Sequence, residues 1–378
     1  MRILFTGGGT GGHIYPILAV TEELQSSAVQ KKINLDLRYF GAPETYRLLL
    51  NENGVLVSKI FSAKWRRYFD IRNFLDIPLF LISIFQALLK IFWFMPDVLF
   101  SKGGPGSLAI VLTSRFYRIP VIIHESDSIP GLTTLFSQRY ADKIITSFKS
   151  TEKFFPENSR AKIILAGNPV RQSLLSDVLE QGTAKKVLGF NPEKPLIVII
   201  GGSQGAVKIN DFMMEIAEEM AKDWQILHQT GAKNFEDAGN ELTLVFKNSA
   251  PETKSNYKIT PYFGKNLKDV FAAADLIVSR AGSGSIFEIA AFGKPSILIP
   301  LKESANNHQS KNAYEYAKTG AAIVIEEENL HPTIFLTQIK KILSQPEISK
   351  SMSEAAKRFS KPEAAKIIAE EIISLVSR

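Results

Sequence analysis

The sequence predicts an α/β protein built from two doubly wound parallel sheets. Short apolar runs alternate with helix-length segments along most of the chain, which is typical of parallel strands joined by helices. A glycine-rich loop, Gly7 to Gly12, follows the first strand, and a similar loop, Gly201 to Ala206, follows the first strand of the C-terminal half. This repetition, in a chain of 378 residues, favours two domains.

The predicted strands fall into two groups. The first group is Arg2–Thr6, Asp36–Phe40, Val55–Ile60, Asp97–Ser101, Val121–His124 and Lys143–Thr146. After a stretch rich in Gly, Asn and Pro, the second group is Leu196–Ile200, Gln225–Gln229, Lys258–Thr260, Leu276–Ser279, Ser296–Pro300 and Ala321–Ile325. We therefore predict domains at residues 1–167 and 168–361, with a final helix, 362–378, that packs back on the first domain.

The composition limits the class of protein. The chain has no cysteine, which excludes disulfides and thiolate metal sites and fits a reducing compartment. A formal charge of +7 favours anionic partners, which include nucleic acid, phosphorylated small molecules and acidic membrane surfaces. The first strand runs directly into a glycine loop, so its apolar stretch is too short for a signal peptide. A cytoplasmic protein is expected.

The stretch from Leu276 to Asn312 carries the strongest signal for a nucleotide-sugar site. The helix after Gly282 should present its free N–H groups and the positive end of its dipole to a phosphate. One turn further, Glu288 can accept two hydrogen bonds from the vicinal hydroxyls of a ribose. A second helix should begin near Asn306 or Asn307, and three of its polar residues have the spacing to read sugar hydroxyls: His308, Gln309 and Asn312. The alternative is that these loops are ordinary turns and helix caps.

The first glycine loop leads to a candidate general base. Gly7 to Gly12 fits the G-x-G-x-x-G pattern of dinucleotide-binding oxidoreductases. However, Gly41 stands where that class carries a ribose-binding acid, which argues against it. His13 lies at the start of the next helix, where the dipole disfavours the imidazolium and keeps the ring available as a base. Alternatively, His13 packs against the loop or binds phosphate without moving a proton.

Polar residues follow two further strands of the N-terminal half. Lys102 lies in a glycine loop that either binds a second anion or forms a plain turn. The run His124 to Asp127 leaves the next strand, but adjacent residues send their side chains in different directions, which disfavours a metal site. No metal and no cofactor is expected.

One segment is a candidate for membrane association. Ile77 to Met95 is nearly long and apolar enough to span a bilayer. The predicted strands on either side of it belong to one sheet, so we expect the helix to lie on the domain surface with an exposed apolar patch. The residues before it favour an anionic lipid interface: Lys64, Trp65, Arg66, Arg67, Tyr68 and Arg72. The alternative is a fully buried core helix.

Several motifs in this order resemble those of the MurG family of GT-B glycosyltransferases. They are Thr6–His13, Gly103–Gly104, His124–Leu132, Gly167–Arg171, Gly201–Ala206, Arg280–Glu288 and His308–Ala313. The resemblance covers almost the whole chain and implies two Rossmann-like domains facing across a cleft. It implies a UDP-sugar-binding C-terminal domain and an acceptor-binding, membrane-associating N-terminal domain. The implied reaction is inverting transfer of N-acetylglucosamine from its UDP conjugate to the C4 hydroxyl of undecaprenyl-diphosphate-linked N-acetylmuramyl-pentapeptide in peptidoglycan synthesis, which serves cell shape and division.

The resemblance also implies roles for individual residues. Glu288 binds the ribose, Arg171 contacts the nucleotide, and His13 lies beside the acceptor hydroxyl. The implied substrate-binding residues are Thr10, Gly11, Gly12, His13, Asp127, Arg171, Ser203, Gln204, Ser283, Gly284, Ser285, Glu288, His308, Gln309 and Asn312. This chain departs from the family at Ser126-Asp127, where Gln-Asn is usual, and at Asn307, where an acid is common. Because a carboxylate cannot donate as an amide does, Asp127 is an alternative catalytic base.

The implied partners are UDP-N-acetylglucosamine, the lipid-linked acceptor and an anionic membrane surface, but no nucleic acid. The implied location is the cytoplasmic face of the cell membrane, with peripheral attachment. Three alternatives remain: a GT-B transferase acting on another membrane lipid, a sugar-nucleotide epimerase of the same fold, and a non-catalytic membrane-associated nucleotide-sugar binder. The sequence leaves open the oligomeric state, the peptide of the acceptor and the identity of the base.

Overall fold

The computed structural model describes residues 1–61, 72–201, 206–302, 304 and 307–376. The chain divides into two compact units. The first comprises Met1–Gln172 together with the C-terminal residues from Lys361, and the second comprises Ser173–Ser360. The joint expected at residues 167–168 lies a few residues before this division. Each unit contains one parallel sheet with helices on both faces, so the predicted fold class is confirmed.

The first unit contains a seven-stranded sheet. Its strands β1 to β7 are Arg2–Thr6, Asp36–Gly41, Val55–Lys59, Val98–Ser101, Val121–Glu125, Lys143–Thr146 and Ile163–Leu165. They are parallel, in the order β3-β2-β1-β4-β5-β6-β7. The order reverses between β1 and β4, which are hydrogen-bonded neighbours. In such sheets ligands bind beyond the carboxyl ends of the strands at this reversal, so the loops after β1 and β4 mark the site of this unit.

Helices cover both faces of this sheet. Helices α1 to α6 are Gly11–Lys31, Arg47–Glu52, Arg72–Phe94, Ser107–Phe116, Leu132–Ser137 and Glu157–Arg160, with short 3-10 helices at Glu44–Tyr46 and Lys149–Phe154. Ile3 and Phe5 of β1 pack into the core beside α1, whereas Leu4 packs into the core beside α3 and α4. Burial on both faces explains why the strand reads as a continuous apolar run.

The second unit repeats the arrangement with six strands. Strands β8 to β13 are Leu196–Ile200, Gln225–Gln229, Tyr257–Thr260, Leu276–Ser279, Ser296–Leu298 and Ala322–Val324. They are parallel, in the order β10-β9-β8-β11-β12-β13. Helices α7 to α17 are Gln172–Leu175, Gln181–Val187, Val207–Glu215, Ala217–Asp223, Phe235–Val245, Pro251–Ser255, Leu267–Ala273, Ser283–Ala291, His308–Ala317, Pro332–Ser344 and Pro346–Phe359, with a 3-10 helix at Glu327–Asn329. The order reverses between β8 and β11.

The last helix, α18, spans Ala364–Val376 and belongs to the first unit. Its apolar face packs into the same core as α1, through Ile368 and Ile372. An ion pair of 3.5 Å between Lys143 Nζ and Glu371 adds a polar contact to β6. The chain therefore returns to its N-terminal unit after completing the second one.

Helix α3 is apolar on more than one face. It is the one helix in the described ranges that is long and apolar enough to cross a membrane, and 22% of Ile77–Phe94 is buried. Ala87 and Ile91 face the sheet, and the Ser83 hydroxyl donates to the carbonyls of Phe61 and Leu79. Phe85 is 62% exposed, and Trp93 is 82% exposed. The helix is therefore not a fully buried core helix, and its outer face is an apolar patch. The basic and aromatic residues predicted before it, from Lys64 to Tyr68, lie outside the described residues.

Candidate active site

In the first unit, the loop after β1 packs tightly against the loop after β4. A side-chain carbon added at Gly104, whose φ is +85°, would lie 2.9 Å from Gly8 N and 3.0 Å from His13 Nε2. A carbon added at Gly8 would lie 2.8 Å from His13 Nδ1. Only glycine permits this approach. The two loops therefore enclose the imidazole of His13, and a side chain at position 104 would collide with its Nε2.

A contact at Nδ1 orients the imidazole of His13. Thr10, the residue before the first turn of α1, places its hydroxyl oxygen 2.9 Å from His13 Nδ1. The His13 backbone N–H donates to the Thr10 carbonyl at 3.0 Å. On the far side of the loop, the buried Tyr39 hydroxyl donates to the Gly7 carbonyl at 2.7 Å. The sequence motif thus forms a fixed loop that directs one ring nitrogen towards Thr10 and the other towards Gly104.

Lys102 extends from the loop after β4 into the interior. Its Nζ contacts both Nδ1 of His124 and the hydroxyl of Ser126. Burial lowers the pKa of Lys102 to about 7, while the carboxylates of Glu125 and Asp127 act in the opposite direction. This side chain is buried, and its Nζ lies under the loop that follows β5. Binding of an anion by the Lys102 loop stays a prediction.

Glu125 shapes that loop. Its carboxylate accepts hydrogen bonds from the backbone N–H groups of Asp127, at 3.1 Å, and Gly131, at 3.0 Å. The Asp127 carbonyl in turn accepts from the Thr151 hydroxyl at 3.0 Å. Burial, followed by the nearby charge of Asp127, raises the pKa of Glu125. Glu125 is therefore a buried loop-forming residue, and Asp127 is the half-buried carboxylate that the loop presents.

Arg171 lies beside the first helix of the same unit. Its guanidinium carbon is 4.8 Å from the ring centroid of Tyr15, which is a cation–π distance. Its Nε is buried and has no hydrogen-bond partner among the described residues. The aromatic face of Tyr15 therefore holds the guanidinium in place.

In the second unit, α14 begins directly beyond β11. Gly282 precedes it with no side-chain cap, and the space beside its α-carbon is open. Ser283, Gly284 and Ser285 form the first turn, and Glu288 follows about one turn later, half-buried. These are the predicted donor-binding residues, and the fold places them at the reversal of strand order, at the N-terminus of a nine-residue helix.

An ion pair beneath this loop was not predicted from the sequence. The guanidinium of Arg280 donates to the Ile299 carbonyl at 3.2 Å and pairs with the Glu327 carboxylate at 2.5 Å. Both side chains are almost completely buried. The pair therefore ties together the segments that follow β11, β12 and β13. In the sequence, the one sign of this ion pair is the apolar residues around Arg280, which indicate that its side chain is buried and needs a partner.

Gln309 is fixed at the start of α15. Its side-chain oxygen accepts from the Leu301 backbone N–H at 3.0 Å, and its own backbone N–H donates to the Ser304 hydroxyl at 3.2 Å. Asn307, the residue before the first residue of α15, adopts a left-handed conformation with φ of 55°, which asparagine tolerates well. The carbonyl end of Gln309 is thus used by the protein, and its amide NH₂ is the end that can serve a sugar.

The remaining residues predicted to bind the donor differ in their exposure. His308 is half-buried at the first turn of α15, whereas Asn312 is completely buried. A direct contact between Asn312 and a sugar therefore requires a change of conformation at the start of α15. Ser203 and Gln204, predicted to bind the diphosphate, lie outside the described residues.

Comparison with known proteins settles the family. The N-terminal domain of glycosyltransferase family 28 matches residues 3–146, and the C-terminal domain of that family matches residues 196–368. A UDP-N-acetylglucosamine–N-acetylmuramyl-(pentapeptide) pyrophosphoryl-undecaprenol N-acetylglucosamine transferase of Treponema denticola is 34% identical, over 97% of this chain and 96% of its own. Its namesake in Lactobacillus acidophilus is 36% identical, over 97% of both chains. This chain belongs to the MurG family of glycosyltransferases.

Solved structures show the same fold. Acinetobacter baumannii MurG has a TM-score of 0.73 at 24% identity and covers 99% of both chains. The calicheamicin glycosyltransferase CalG4 has a TM-score of 0.70 at 13% identity, covering 100% of this chain and 98% of its own. A UDP-GlcNAc 2-epimerase from Neisseria meningitidis, bound to UDP-GlcNAc, has a TM-score of 0.69 at 14% identity, covering 99% and 100%. Such distant likeness establishes the GT-B architecture alone, since transferases and an epimerase share it.

As a member of the MurG family, the chain is a glycosyltransferase. Among the described residues, a loop that contains glycine follows a strand at the strand-order reversal of each unit.

Proposed function

We propose that the chain transfers N-acetylglucosamine from UDP-N-acetylglucosamine to the C4 hydroxyl of an undecaprenyl-diphosphate-linked N-acetylmuramyl-pentapeptide, with inversion at the sugar. The observation that carries this proposal is the family relationship over the full length of the chain, at 34–36% identity to transferases named for this reaction. The product of the reaction is the lipid-linked disaccharide of peptidoglycan synthesis.

The donor is assigned to the second unit. The first turn of α14, Ser283 to Ser285, accepts a phosphate of UDP, because its N–H groups and helix dipole favour negative charge. Glu288 binds the ribose hydroxyls, and the amide NH₂ of Gln309 donates to the sugar. His308 stands beside Gln309 and contributes to the same subsite. From the family resemblance, we also assign Ser203 and Gln204 to the diphosphate and Arg171 to the nucleotide.

The acceptor is assigned to the first unit. Thr10, Gly11 and Gly12 form the start of α1 around His13, and Asp127 is presented by the loop after β5. We assign the ring proton of His13 to Nδ1, which then donates to the Thr10 hydroxyl, so Nε2 is the basic nitrogen of this tautomer. We assign His13 as the general base, and Asp127 as the residue that orients the acceptor. Asp127 is the alternative base.

The chemical step follows from these placements. The acceptor O4 attacks the anomeric carbon, its proton passes to His13 Nε2, and the bond from that carbon to the β-phosphate oxygen breaks. UDP leaves with the electron pair of that bond. The N-terminus of α14 stabilises the negative charge that develops on the departing diphosphate, since preorganised N–H groups need no rearrangement as the charge forms. A single displacement inverts the configuration at the sugar.

The acceptor is a membrane lipid, and α3 supplies a surface for reaching it. Phe85, Phe92 and Trp93 are exposed on the outer face of this helix. Exposed apolar and aromatic side chains on one face of a helix insert into the boundary between head groups and acyl chains. The strands before and after α3 lie in one parallel sheet, so the helix serves as an attachment that does not cross the bilayer. We therefore place the protein peripherally at the cytoplasmic face of the cell membrane.

Competition between acceptors tests the proposal. Labelled UDP-N-acetylglucosamine is offered together with equal amounts of the muramyl-pentapeptide lipid and a second undecaprenyl-diphosphate-linked sugar. Label in the muramyl lipid alone supports the proposed acceptor, whereas preferential labelling of the second lipid identifies a transferase of other specificity. Binding of the donor without any transfer would indicate a nucleotide-sugar binder.

A further inference from the structure

Glu327 is a buried carboxylate to which the donor assignment above gives no task. It lies beyond the carboxyl end of β13, at the start of the 3-10 helix Glu327–Asn329, and its side chain is 5% exposed. A carboxylate buried to this extent destabilises a fold strongly unless it is paired with a cation. What Glu327 does therefore follows from the cations that pair with it.

Two cations from different strand ends meet this carboxylate. Arg280, the residue directly after β11, places a guanidinium nitrogen 2.5 Å from Glu327 Oε1. Lys208, in the first turn of α9, places its Nζ 3.4 Å from Glu327 Oε2. Each carboxylate oxygen thus has its own cation, and we call the arrangement Arg280–Glu327–Lys208 the ion-pair link. Because Arg280 is almost completely buried and Lys208 is largely exposed, the pair with Arg280 is the stronger of the two.

The contacts of the ion-pair link reach the ends of four strands that are neighbours in the sheet: β8, β11, β12 and β13. Arg280 donates through its guanidinium to the Ile299 carbonyl, directly after β12, at 3.2 Å. Its backbone N–H donates to the Ile200 carbonyl, at the end of β8, at 3.4 Å. In parallel sheets, ligands bind beyond the carboxyl ends of the strands. The ion-pair link therefore connects the segments to which the donor is assigned.

We propose that Glu327 is a positioning residue of the donor site, whose carboxylate joins Arg280, before α14, to Lys208, at the start of α9, and so fixes the helix N-termini that face the diphosphate. This rests on the proposed function, which assigns the diphosphate to the start of α14 and to the loop before α9. N–H groups that are already in place stabilise an anion without the cost of rearrangement. Loss of the Glu327 charge leaves the Arg280 guanidinium buried and unpaired, so the segment before α14 has to rearrange.

Glu327→Gln tests this role, because glutamine keeps the shape of the side chain and removes its charge. Groups in one ion-pair network are coupled by about 2- to 150-fold in binding, and we expect Glu327→Gln to bind UDP about 10-fold more weakly than the parent. The KM for UDP-N-acetylglucosamine should rise by a similar factor. The KM for the lipid acceptor and the number of UDP sites per chain should remain as in the parent. Calorimetric titration and steady-state kinetics measure these quantities.

Glu328→Gln is the matched control. It removes the neighbouring carboxylate, which is 61% exposed and pairs with the exposed Lys302 at 2.6 Å. Because exposed ion pairs contribute little, this variant should bind UDP as the parent does. A merely structural role of Glu327 predicts fewer UDP sites per chain at unchanged affinity, and that result for Glu327→Gln would overturn the proposal.

If Glu327→Gln does not fold, the double variant Arg280→Met with Glu327→Met separates stability from positioning. It removes both buried charges, and replacement of a buried ion pair by apolar residues often leaves a fold as stable as before. The ion-pair link is nevertheless absent from it. The double variant should therefore still bind UDP about 10-fold more weakly than the parent. Parental affinity in this variant would overturn the proposal.

A measurement without ligand separates failure of this proposal from failure of the proposed function. Hydrogen exchange of the free protein, followed by mass spectrometry in peptides that cover α9 and α14, should be faster in Glu327→Gln than in the parent. It should be unchanged in Glu328→Gln. If the parent binds no UDP, the proposed function fails, whereas faster exchange still supports the ion-pair link. Equal exchange in the parent and in Glu327→Gln would overturn the link whether or not UDP binds.

Discussion

The side chain of Gln309 is held by the backbone of Leu301, whose N–H donates to Gln309 Oε1 at 3.0 Å. This bond fixes the orientation of the amide, so that the NH₂ group, and not the carbonyl, is the end available to a ligand. It also joins the start of α15 to the segment that follows β12.

The orientation of Gln309 gives the first prediction. Gln309→Glu keeps an oxygen for the Leu301 N–H but removes the amide donors, so it should weaken UDP-N-acetylglucosamine by about 1 to 2 kcal/mol. Binding of UDP, which lacks the sugar, should remain as in the parent. Calorimetric titration of both ligands measures the difference. Equal effects on the two ligands would place the sugar elsewhere.

Glu288 should behave in the opposite way. Because it is assigned to the ribose, Glu288→Ala should weaken UDP and UDP-N-acetylglucosamine alike, by about 1.5 to 3 kcal/mol for lost charged hydrogen bonds. The matched control is Glu354→Ala, which removes an exposed glutamate from α17 of the same unit. If only the sugar conjugate binds more weakly, Glu288 does not hold the ribose.

The base can be identified with three variants assayed at saturating substrates. His13→Ala should lower the rate constant by about 10²- to 10⁴-fold, which is the usual contribution of general-base catalysis. Thr10→Val removes only the partner of Nδ1 and should lower the rate by about 2- to 10-fold, equivalent to one neutral hydrogen bond. A near-normal rate for His13→Ala, beside an inactive Asp127→Asn that still binds both substrates, would assign the base to Asp127.

The outer face of α3 should determine membrane binding. Phe85→Ser with Trp93→Ser removes two exposed aromatic side chains, each worth about 1.5 to 3 kcal/mol when fully buried. The double variant should no longer sediment with vesicles that contain anionic phospholipid, while UDP binding persists. Adding Arg66→Glu and Arg67→Glu should strengthen the defect. Val187→Ser with Leu244→Ser is the control, because both residues are exposed apolar side chains of the second unit. Unchanged sedimentation of the α3 variant would locate the membrane face elsewhere.

His228 should make the second unit sensitive to acid. It is buried between the Tyr257 hydroxyl, 3.0 Å from Nδ1, and Asn210 Oδ1, 3.1 Å from Nε2. Burial lowers the pKa of His228 to about 3, whereas a histidine of the unfolded chain has a pKa near 6.5. Between these values only the unfolded chain binds the proton, so the free energy of unfolding decreases as the pH falls, by up to about 1.4 kcal/mol per pH unit.

Urea unfolding between pH 4 and pH 7 measures this effect. His228→Gln should be less stable than the parent at neutral pH, but its stability should depend less steeply on pH by about one proton. His331→Gln, at an exposed position, controls for the loss of a histidine. If the free energy of unfolding depended equally on pH in the parent and in His228→Gln, His228 would be protonated in the folded protein.

The sequence predicted the parts of the fold that have a regular pattern. Each strand of the two predicted groups is present with small shifts at its ends, because a buried parallel strand reads as an apolar run. The strand Ile163–Leu165 was missed because three residues are too few to show a period. The start of α15 was predicted within two residues, since Asn307 is well suited to the left-handed position before it.

The contacts within the sites could not be predicted in the same way. Nothing in the order of residues shows that the Gln309 oxygen is taken by Leu301, that Asn312 is buried, or that Lys102 points inward to His124. These facts depend on which side chains meet across different strands and helices. The spacing of residues within one segment shows which polar side chains a loop carries. The hydrogen-bond partner of each side chain is determined by the tertiary packing.

Transfer of label from UDP-N-acetylglucosamine to undecaprenyl-diphosphate-linked N-acetylmuramyl-pentapeptide tests the central claim most directly. The purified protein should place one labelled sugar on each acceptor lipid and release one UDP for each sugar transferred, and the new linkage should have inverted configuration. Donor binding with no lipid-bound label, under conditions where a verified member of the family labels the same lipid, would contradict the proposed function.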